Sequence, residues 1–461
     1  MSGRTAIQSR GGRRAGTVRR SLGAGLAVLL GVSLAAAPVG AEDWPQFRGP
    51  GGRGVGGSAV PLTWDDATNV RWKTPLPGPG SSSPIVHGDR VFVTCYSGVG
   101  DAATRSGGLA GLIRHLVCVD RRDGRALWQR SLAAEMPEDA YEGFLTEHGY
   151  ASSTPVTDGR RVYAFFGKGG VVAFDMEGKE LWRAAVGKES SNRRWGSAAS
   201  LVLLGDRLIV NAAEESQSIR GFDAATGREL WKAEGAALEL AYGTPGIVVR
   251  KDGGEEIVLA VPGEVWGLDP ERGKIRWHAE TALTGNVSPS VVVDGTTLYV
   301  FGGFRSSGSL AVEAGGTGDV TGSRVLWTSR NSSYVATPLL HDGHLYWIDD
   351  RGQAFCAAAK TGELVYRERV ADMASGGRPV YASPVLSADR IYVVSRWSGT
   401  FVLPAKPKYE ILARNRFAAD ESDFSGTPAI SGGDIFLRSG RFLYCCGAAA
   451  APAATPATDG R

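Results

Sequence analysis

The chain has 461 residues, 43% of them hydrophobic, with 51 basic and 48 acidic side chains and a formal net charge of +3. Its 12 Trp, 13 Tyr and 15 Phe exclude a chain that is disordered throughout, and 64 glycines with no collagen-like period indicate many tight turns. Six arginines and no acidic residue fall in the first 41 positions; without them 45 basic residues face 48 acidic ones, a net of −3, so nucleic-acid binding loses its electrostatic support.

That basic start is followed by the uncharged run "SLGAGLAVLLGVSLAAAPVGA", Ser21 to Ala41. Arginines, an apolar Ala/Leu/Val run and a small-residue ending read as a secretory signal over residues 1–41, cleaved after Ala41; an uncleaved membrane anchor is the other reading. The expected location is therefore periplasmic or secreted, with no transmembrane domain after cleavage. Residues 42–69, opening "EDWPQFRGPGGRGVGG", form an N-terminal lead-in, and residues 447–461 an Ala/Pro/Thr tail expected to be disordered.

Between them the chain repeats. A Ser/Thr-Pro pair opens most units: Ser83-Pro84, Thr154-Pro155, Thr244-Pro245, Ser288-Pro289, Thr337-Pro338, Ser383-Pro384 and Thr427-Pro428. "WGSAASLVLLGDR", from Trp195, fills the gap with its proline missing, which makes eight units. A period in the mid-forties accommodates four short strands. Each unit reads strand, turn, strand, as in "SPIVHGDRVFVTCYS", followed by "HLVCVD", the turn "RRDGR" and "ALWQRSL". Such sheets close radially, so the fold class is all-β: an eight-bladed β-propeller of four-stranded antiparallel blades over residues 70–446, with seven blades as the alternative. The last unit ends at "RFLYCCGA" without a Trp-bearing strand, and the orphan "NVRWKTPL" at residues 69–76 supplies one. Closure by this N-terminal strand is expected, because it leaves no open edge.

In six of the units an aromatic residue follows the turn glycine, by four residues for Trp128, Trp182, Trp231, Trp277 and Tyr366 and by five for Trp327, with Trp72 the counterpart on the closing strand. One flat side chain at one place per blade predicts packing between blades. This grammar, in "VDRRDGRALW", "FDMEGKELW", "FDAATGRELW", "LDPERGKIRW" and "AAAKTGELVY", resembles the quinoprotein-like propeller repeat, often called the pyrroloquinoline quinone (PQQ) repeat. The resemblance covers residues 70–446, and "DWPQFRGPGGRGVGG" is similar to the lead-in of secreted bacterial members. It implies the fold, shared by quinone-dependent alcohol dehydrogenases and by the outer-membrane assembly scaffold BamB. It does not by itself imply a reaction.

Turns between strands one and two ("HGDR", "TDGR", "HDGH") and between strands three and four read as uniformly tight, whereas the other face carries long polar and aromatic connections. Binding residues concentrate on such loops. The expected ligand-binding face contains Arg194 and Trp195, Tyr242, Asn286, Arg330 with Asn331 and Tyr334, and Arg378 with Tyr381 at the unit entries. Glu214, Glu215, Glu264, Arg396 and Trp397 join them from second-to-third-strand turns. Its expected partner is a protein or a small polar ligand, and the propeller is expected to be a monomer. The function expected is an exported, non-enzymatic BamB-like scaffold; the alternatives are a PQQ-dependent dehydrogenase, an oxidoreductase that holds PQQ with calcium, and a glycan-binding propeller. For the dehydrogenase Glu214, Asn286 and Asp349 are the candidate ligands or base, though no motif places them together, and no catalytic residue is assigned. The pair His341 and His344 lacks a third metal ligand, so no metal site is expected. Cys445 aligns with Cys118, Cys356, Gly221 and Ala173 at a small third-strand position, which favours burial over a Cys445–Cys446 disulfide.

Overall fold

A computed structural model of the chain describes residues 42–100, 105–302, 304 and 307–448. The expected signal, and the tail beyond Ala448, lie outside the described residues. Eight antiparallel sheets follow one another along the chain, with first strands Ile85–His87, Val156–Thr157, Val202–Leu204, Gly246–Val249, Val292–Asp294, Leu339–His341, Val385–Ser387 and Ala429–Ser431. The fourth strand of the eighth blade is Val70–Pro75, which pairs antiparallel with Phe442–Gly447 and sets Trp72 opposite Cys445. The N-terminal strand therefore closes the ring.

Burial falls from the channel outward. The second strand of blade one, Arg90–Ser97, is buried at six consecutive positions because neighbouring blades cover both of its faces. The fourth strand of blade three, Glu229–Glu234, alternates and buries only Trp231.

Each fourth-strand aromatic stands opposite a small residue of the third strand: Trp128 and Cys118, Trp182 and Ala173, Trp231 and Gly221, Trp277 and Gly267, Trp327 and Ala311, Tyr366 and Cys356. A register shift adjoins every one of these pairs, re-aiming the ring toward the next blade. There the indole N–H donates to a carbonyl of that blade's three-to-four turn: Trp72 to Arg121 at 2.8 Å, Trp128 to Met176 at 2.9 Å, Trp182 to Ala224 at 3.1 Å and Trp231 to Pro270 at 2.9 Å. The motif's tryptophan and its turn glycine thus serve different seams. All five cysteines are free and buried, and burial pushes the thiols up, to about 12 for Cys118 and about 11 for Cys356.

Two expectations need correction. The three-to-four turn is not tight in blade five, where Gly318–Asp319 pairs in parallel with Trp277 and His278 and the helix Thr321–Arg324 follows. Nor is it tight in blade seven, where residues 405–412 separate its last two strands. Without a turn carbonyl to meet, Trp277 is fully buried and donates at 2.9 Å to Glu256 of its own blade, and Tyr366 packs on Tyr409 with ring centroids 5.8 Å apart.

The Ser/Thr positions form a belt around the channel. The backbone N–H of Ser83 donates to the Thr154 hydroxyl, Thr154 to Ser200, Ser200 to Thr244, Thr244 to Ser290, Ser290 to Thr337, Thr337 to Ser383 and Ser383 to Thr427, all at 2.9–3.1 Å. The unit-five member is Ser290, not Ser288 of the Ser-Pro pair. With Ser290 in place, the sequence separations from Thr154 onward are 46, 44, 46, 47, 46 and 44 residues. The belt marks the repeat better than the proline does.

The lead-in is part of the fold. Trp44 exchanges backbone hydrogen bonds with Val86 of blade one, the Pro45 carbonyl accepts from Thr157 of blade two, and Val55–Gly56 pairs in parallel with Leu386 and Ser387 of blade seven. Arg48 is buried and donates to the carbonyls of Thr337 at 2.7 Å and Pro338 at 3.0 Å in blade six. Burial lowers its pKa to about 9. The segment spans the channel, because its bonds reach blades on opposite sides.

Candidate functional site

The channel opens on the long-loop face as a cup of about 160 Å³. Its wall is the hydroxyl belt: all eight members from Ser83 to Thr427 line it. Each oxygen of the seven acceptors takes a backbone N–H, which leaves a hydroxyl proton to donate. Phe47 of the lead-in lies at the bottom and also lines a second cavity that opens among the strand-one-to-two turns, so its ring separates the two spaces.

Above the belt stand the aromatic residues of the loops joining successive blades. Trp195, Tyr242, Asn286, Tyr334 and Tyr381, all expected at the binding face, line this one cup. Trp195 and Tyr242 stack at 6.0 Å with 26° between planes. Asn286 donates to Ser288 at 3.1 Å. Arg378 lies over the Tyr334 ring at 5.6 Å. Arg396 is buried between the rings of Tyr381 at 4.7 Å and Trp397 at 4.4 Å, and its Nε reaches Asp423 at 2.6 Å. Burial, with the carboxylate of Glu147 nearby, pushes the Tyr381 hydroxyl up to about 12.

Other expected residues stand apart from the cup. The side chains of Arg194 and Arg330 are exposed, and Asn331 bonds locally to Ser329. Glu264 accepts from the indole N–H of Trp266 two residues on. Glu214 and Glu215 turn away from the mouth into a neighbouring cavity with Asp139, Lys168, Arg114 and Glu138. There Lys168 pairs with Asp139 at 3.1 Å and Arg114 with Glu138 at 2.7 Å. Glu214 accepts from Ser191 at 2.9 Å and from Tyr242 at 3.4 Å. Glu215 accepts from Ser197, and its Oε2 has no partner; burial, with Glu214 adding to it, raises its pKa to about 7.

The long connection after blade one supplies three residues that are not among those expected at the binding face. Phe144, Glu147 and His148 all line the cup. The Phe144 ring meets Trp195 edge-on at 4.5 Å and carries the Arg378 guanidinium at 4.5 Å. Glu147 pairs with Arg396, 249 residues away. His148 is tied at Nε2 to the Trp195 carbonyl at 2.7 Å and at Nδ1 to Ser152 at 2.5 Å, and burial lowers its pKa. The one legible signal was the length of the connection. Nothing local identifies partners that lie on the far side of the ring.

The residues do not fit a quinone with its divalent cation. Glu214 faces the charged side cavity, Asn286 the cup, and Asp349 caps its own turn by accepting from the N–H groups of Arg351 at 3.0 Å and Gln353 at 2.8 Å. Among the described residues no three His, Cys, Asp or Glu side chains gather to hold a metal ion. His344 bonds to the Asp342 carbonyl within its own turn.

Eight four-stranded blades, six of them seamed by a tryptophan, around a blind cup define an eight-bladed propeller of the PQQ-repeat class. The chain belongs to the family described as outer membrane protein assembly factor BamB, which matches residues 114–368, more than half of its length. Three solved structures share the fold. BamB from Moraxella catarrhalis aligns with a TM-score of 0.56 at 16% identity over 81% of this chain and 98% of that one. A europium-containing methanol dehydrogenase gives 0.60 at 10% over 88% and 98%, and the computationally designed Ika8 protein gives 0.53 at 12% over 81% and 98%. At these identities the likeness is one of fold alone. No curated protein matches the chain in sequence.

Proposed function

We propose that this chain is an exported, non-enzymatic binding propeller, BamB-like in architecture, whose central cup takes a small polar ligand or a segment of a partner protein. The observation that carries this reading is the convergence of Trp195, Tyr242, Asn286, Tyr334 and Tyr381, from five separate inter-blade loops, on one cup floored by Phe47. Aromatic faces and a ring of hydroxyls held on rigid strands suit recognition with little rearrangement. Arg378 and Arg396 stand at its rim as fixed cations. Among the described residues no helix is long and apolar enough to cross a membrane. The location proposed is the periplasm or the medium, following the arginine-rich start and the apolar run that ends at Ala41.

Two measurements test it. N-terminal sequencing of the exported protein should begin at Glu42; a mature protein that begins at Met1 in the cytoplasm refutes export. Immobilised protein should retain a small molecule or polypeptide from periplasmic extract, and Trp195→Ala or Tyr381→Ala should release it. Retention that survives both substitutions removes the cup from the function.

A further inference from the structure

The loop of residues 134–153 crosses the mouth of the cup and places two of its own side chains there. Its base is fastened: Arg114 pairs with Glu138 at 2.7 Å, both side chains buried, and Tyr150 packs on Tyr96 and Tyr141. Its tip is a single helical turn, Leu145–His148, between Gly143 at φ 56° and Gly149 at φ 72°. Nothing lies within 4 Å of where a Cβ on Gly143 would be, so that end of the tip has room. Both glycines sit in the left-handed region, which lets the tip turn sharply away from the base.

From this tip Phe144 enters between Trp195 and Arg378, each 4.5 Å away. The Glu147 carboxylate covers Nη1 of Arg396, which also donates to the Gly377 carbonyl at 3.2 Å, and Nη2 reaches only the Glu147 carbonyl at 3.4 Å. Arg396 is oriented independently of this loop: Asp423 holds its Nε at 2.6 Å, and Tyr381 and Trp397 flank its plane. The edge that Glu147 covers is thus a preformed carboxylate receptor, because a guanidinium held on one side presents its other N–H groups in a fixed fork. Beside it lies an aromatic slot, filled by the ring of Phe144.

We propose that Phe144 and Glu147 act as an internal stand-in for the ligand, and that the cup takes an aromatic group bearing a carboxylate, which displaces them. The Phe144 and Glu147 side chains turn out of these positions, while buried Leu145 and His148, tied to the Trp195 carbonyl at 2.7 Å, keep the helical turn in place. The carboxylate takes the Nη edge of Arg396, and the ring takes the slot between Trp195 and Arg378. This rests on the cup being the binding site. The chemistry is shared by a free aromatic acid and by the C-terminal aromatic residue of a polypeptide.

The test uses the full mature chain and titrates N-acetylphenylalanine, its carboxamide, and a decapeptide ending in phenylalanine, followed by calorimetry and by tryptophan fluorescence with Trp195→Phe as the control. Glu147→Gln removes the internal competitor's charge and should tighten N-acetylphenylalanine at least ten-fold over wild type, with no gain for the carboxamide. Phe144→Ala vacates the slot without altering charge and should tighten both probes. Circular dichroism and melting confirm that each variant is folded. A peptide that binds at least ten-fold tighter than N-acetylphenylalanine assigns the ligand to a chain end, and equal affinity assigns it to a free acid. Acid and carboxamide bound equally by Glu147→Gln overturn the ligand class and leave the cup standing. No response from Trp195 to any probe in any variant overturns both the class and the cup.

Discussion

The indole of Trp231 lies against the α-carbon of Gly273 in the next blade, and its N–H donates to the Pro270 carbonyl of the same turn at 2.9 Å. Gly273 has φ +68°, and a Cβ there would run into the Trp231 ring. The glycine is therefore required twice, by its own left-handed backbone and by the neighbour's ring. Removing Trp231 should cost on the order of 3–5 kcal/mol as a buried aromatic. Trp231→Phe should cost less, since it keeps most of the packing and loses chiefly a hydrogen bond worth about 1 kcal/mol. Denaturant unfolding of both variants checks the order, and equal losses would contradict it.

Closure can be tested by truncation. Deleting residues 42–76 removes the fourth strand of blade eight, the Trp72 indole on the Arg121 carbonyl, and the Arg48 clamp on blade six. It also exposes the edge of Phe442–Gly447. The truncated chain should lack a cooperative thermal transition by calorimetry. A transition like that of the intact chain would contradict closure.

Arg48 can be tested alone. Arg48→Met keeps much of the side-chain length but leaves the Thr337 and Pro338 carbonyls without their donor. A buried unsatisfied group costs about 1–3 kcal/mol. The expected outcome is a folded protein destabilised by a few kcal/mol, read by urea unfolding, with Phe47 no longer held as the floor of the cup.

Glu215 makes stability depend on pH. Its folded pKa is raised to about 7 from the ordinary 4.5, by burial first and by Glu214 after it. The folded state then binds more protons than the unfolded one between these values, so stability falls as pH rises through that window. The loss is on the order of 3 kcal/mol by pH 8. Glu215→Gln carries no such charge. It should be more stable than wild type at pH 8 by up to that amount and close to it at pH 4.5. Parallel stability curves for the two proteins between pH 4.5 and 8 would refute the assignment.

Cup substitutions should leave the scaffold intact. Tyr381→Ala and Trp195→Ala remove half-buried faces from the mouth and touch none of the seam contacts of Trp128, Trp182 or Trp231. Their melting temperatures should stay within a few degrees of wild type while ligand retention is lost. Large losses of stability would make these residues structural rather than binding.

The sequence alone determined the blade count, the strand grammar and the closing strand, because each follows from periodicity and from residue types that any blade needs locally. The small third-strand residues and the recurring tryptophans were legible for the same reason: both sit at one fixed place in every unit. The belt role of Ser290 was not legible, because proline marks only the neighbourhood of the belt, whereas the belt itself is defined by hydrogen bonds between blades. Tertiary structure alone decided which loop residues meet. Trp195 and Tyr334 share a cup while Arg194 and Arg330, one and four positions before them in sequence, do not, because nearby side chains of an irregular loop leave it on different sides. Glu147 and Arg396 lie 249 positions apart and meet only because the ring closes. No local pattern encodes that pairing, since its geometry belongs to the whole circle of blades.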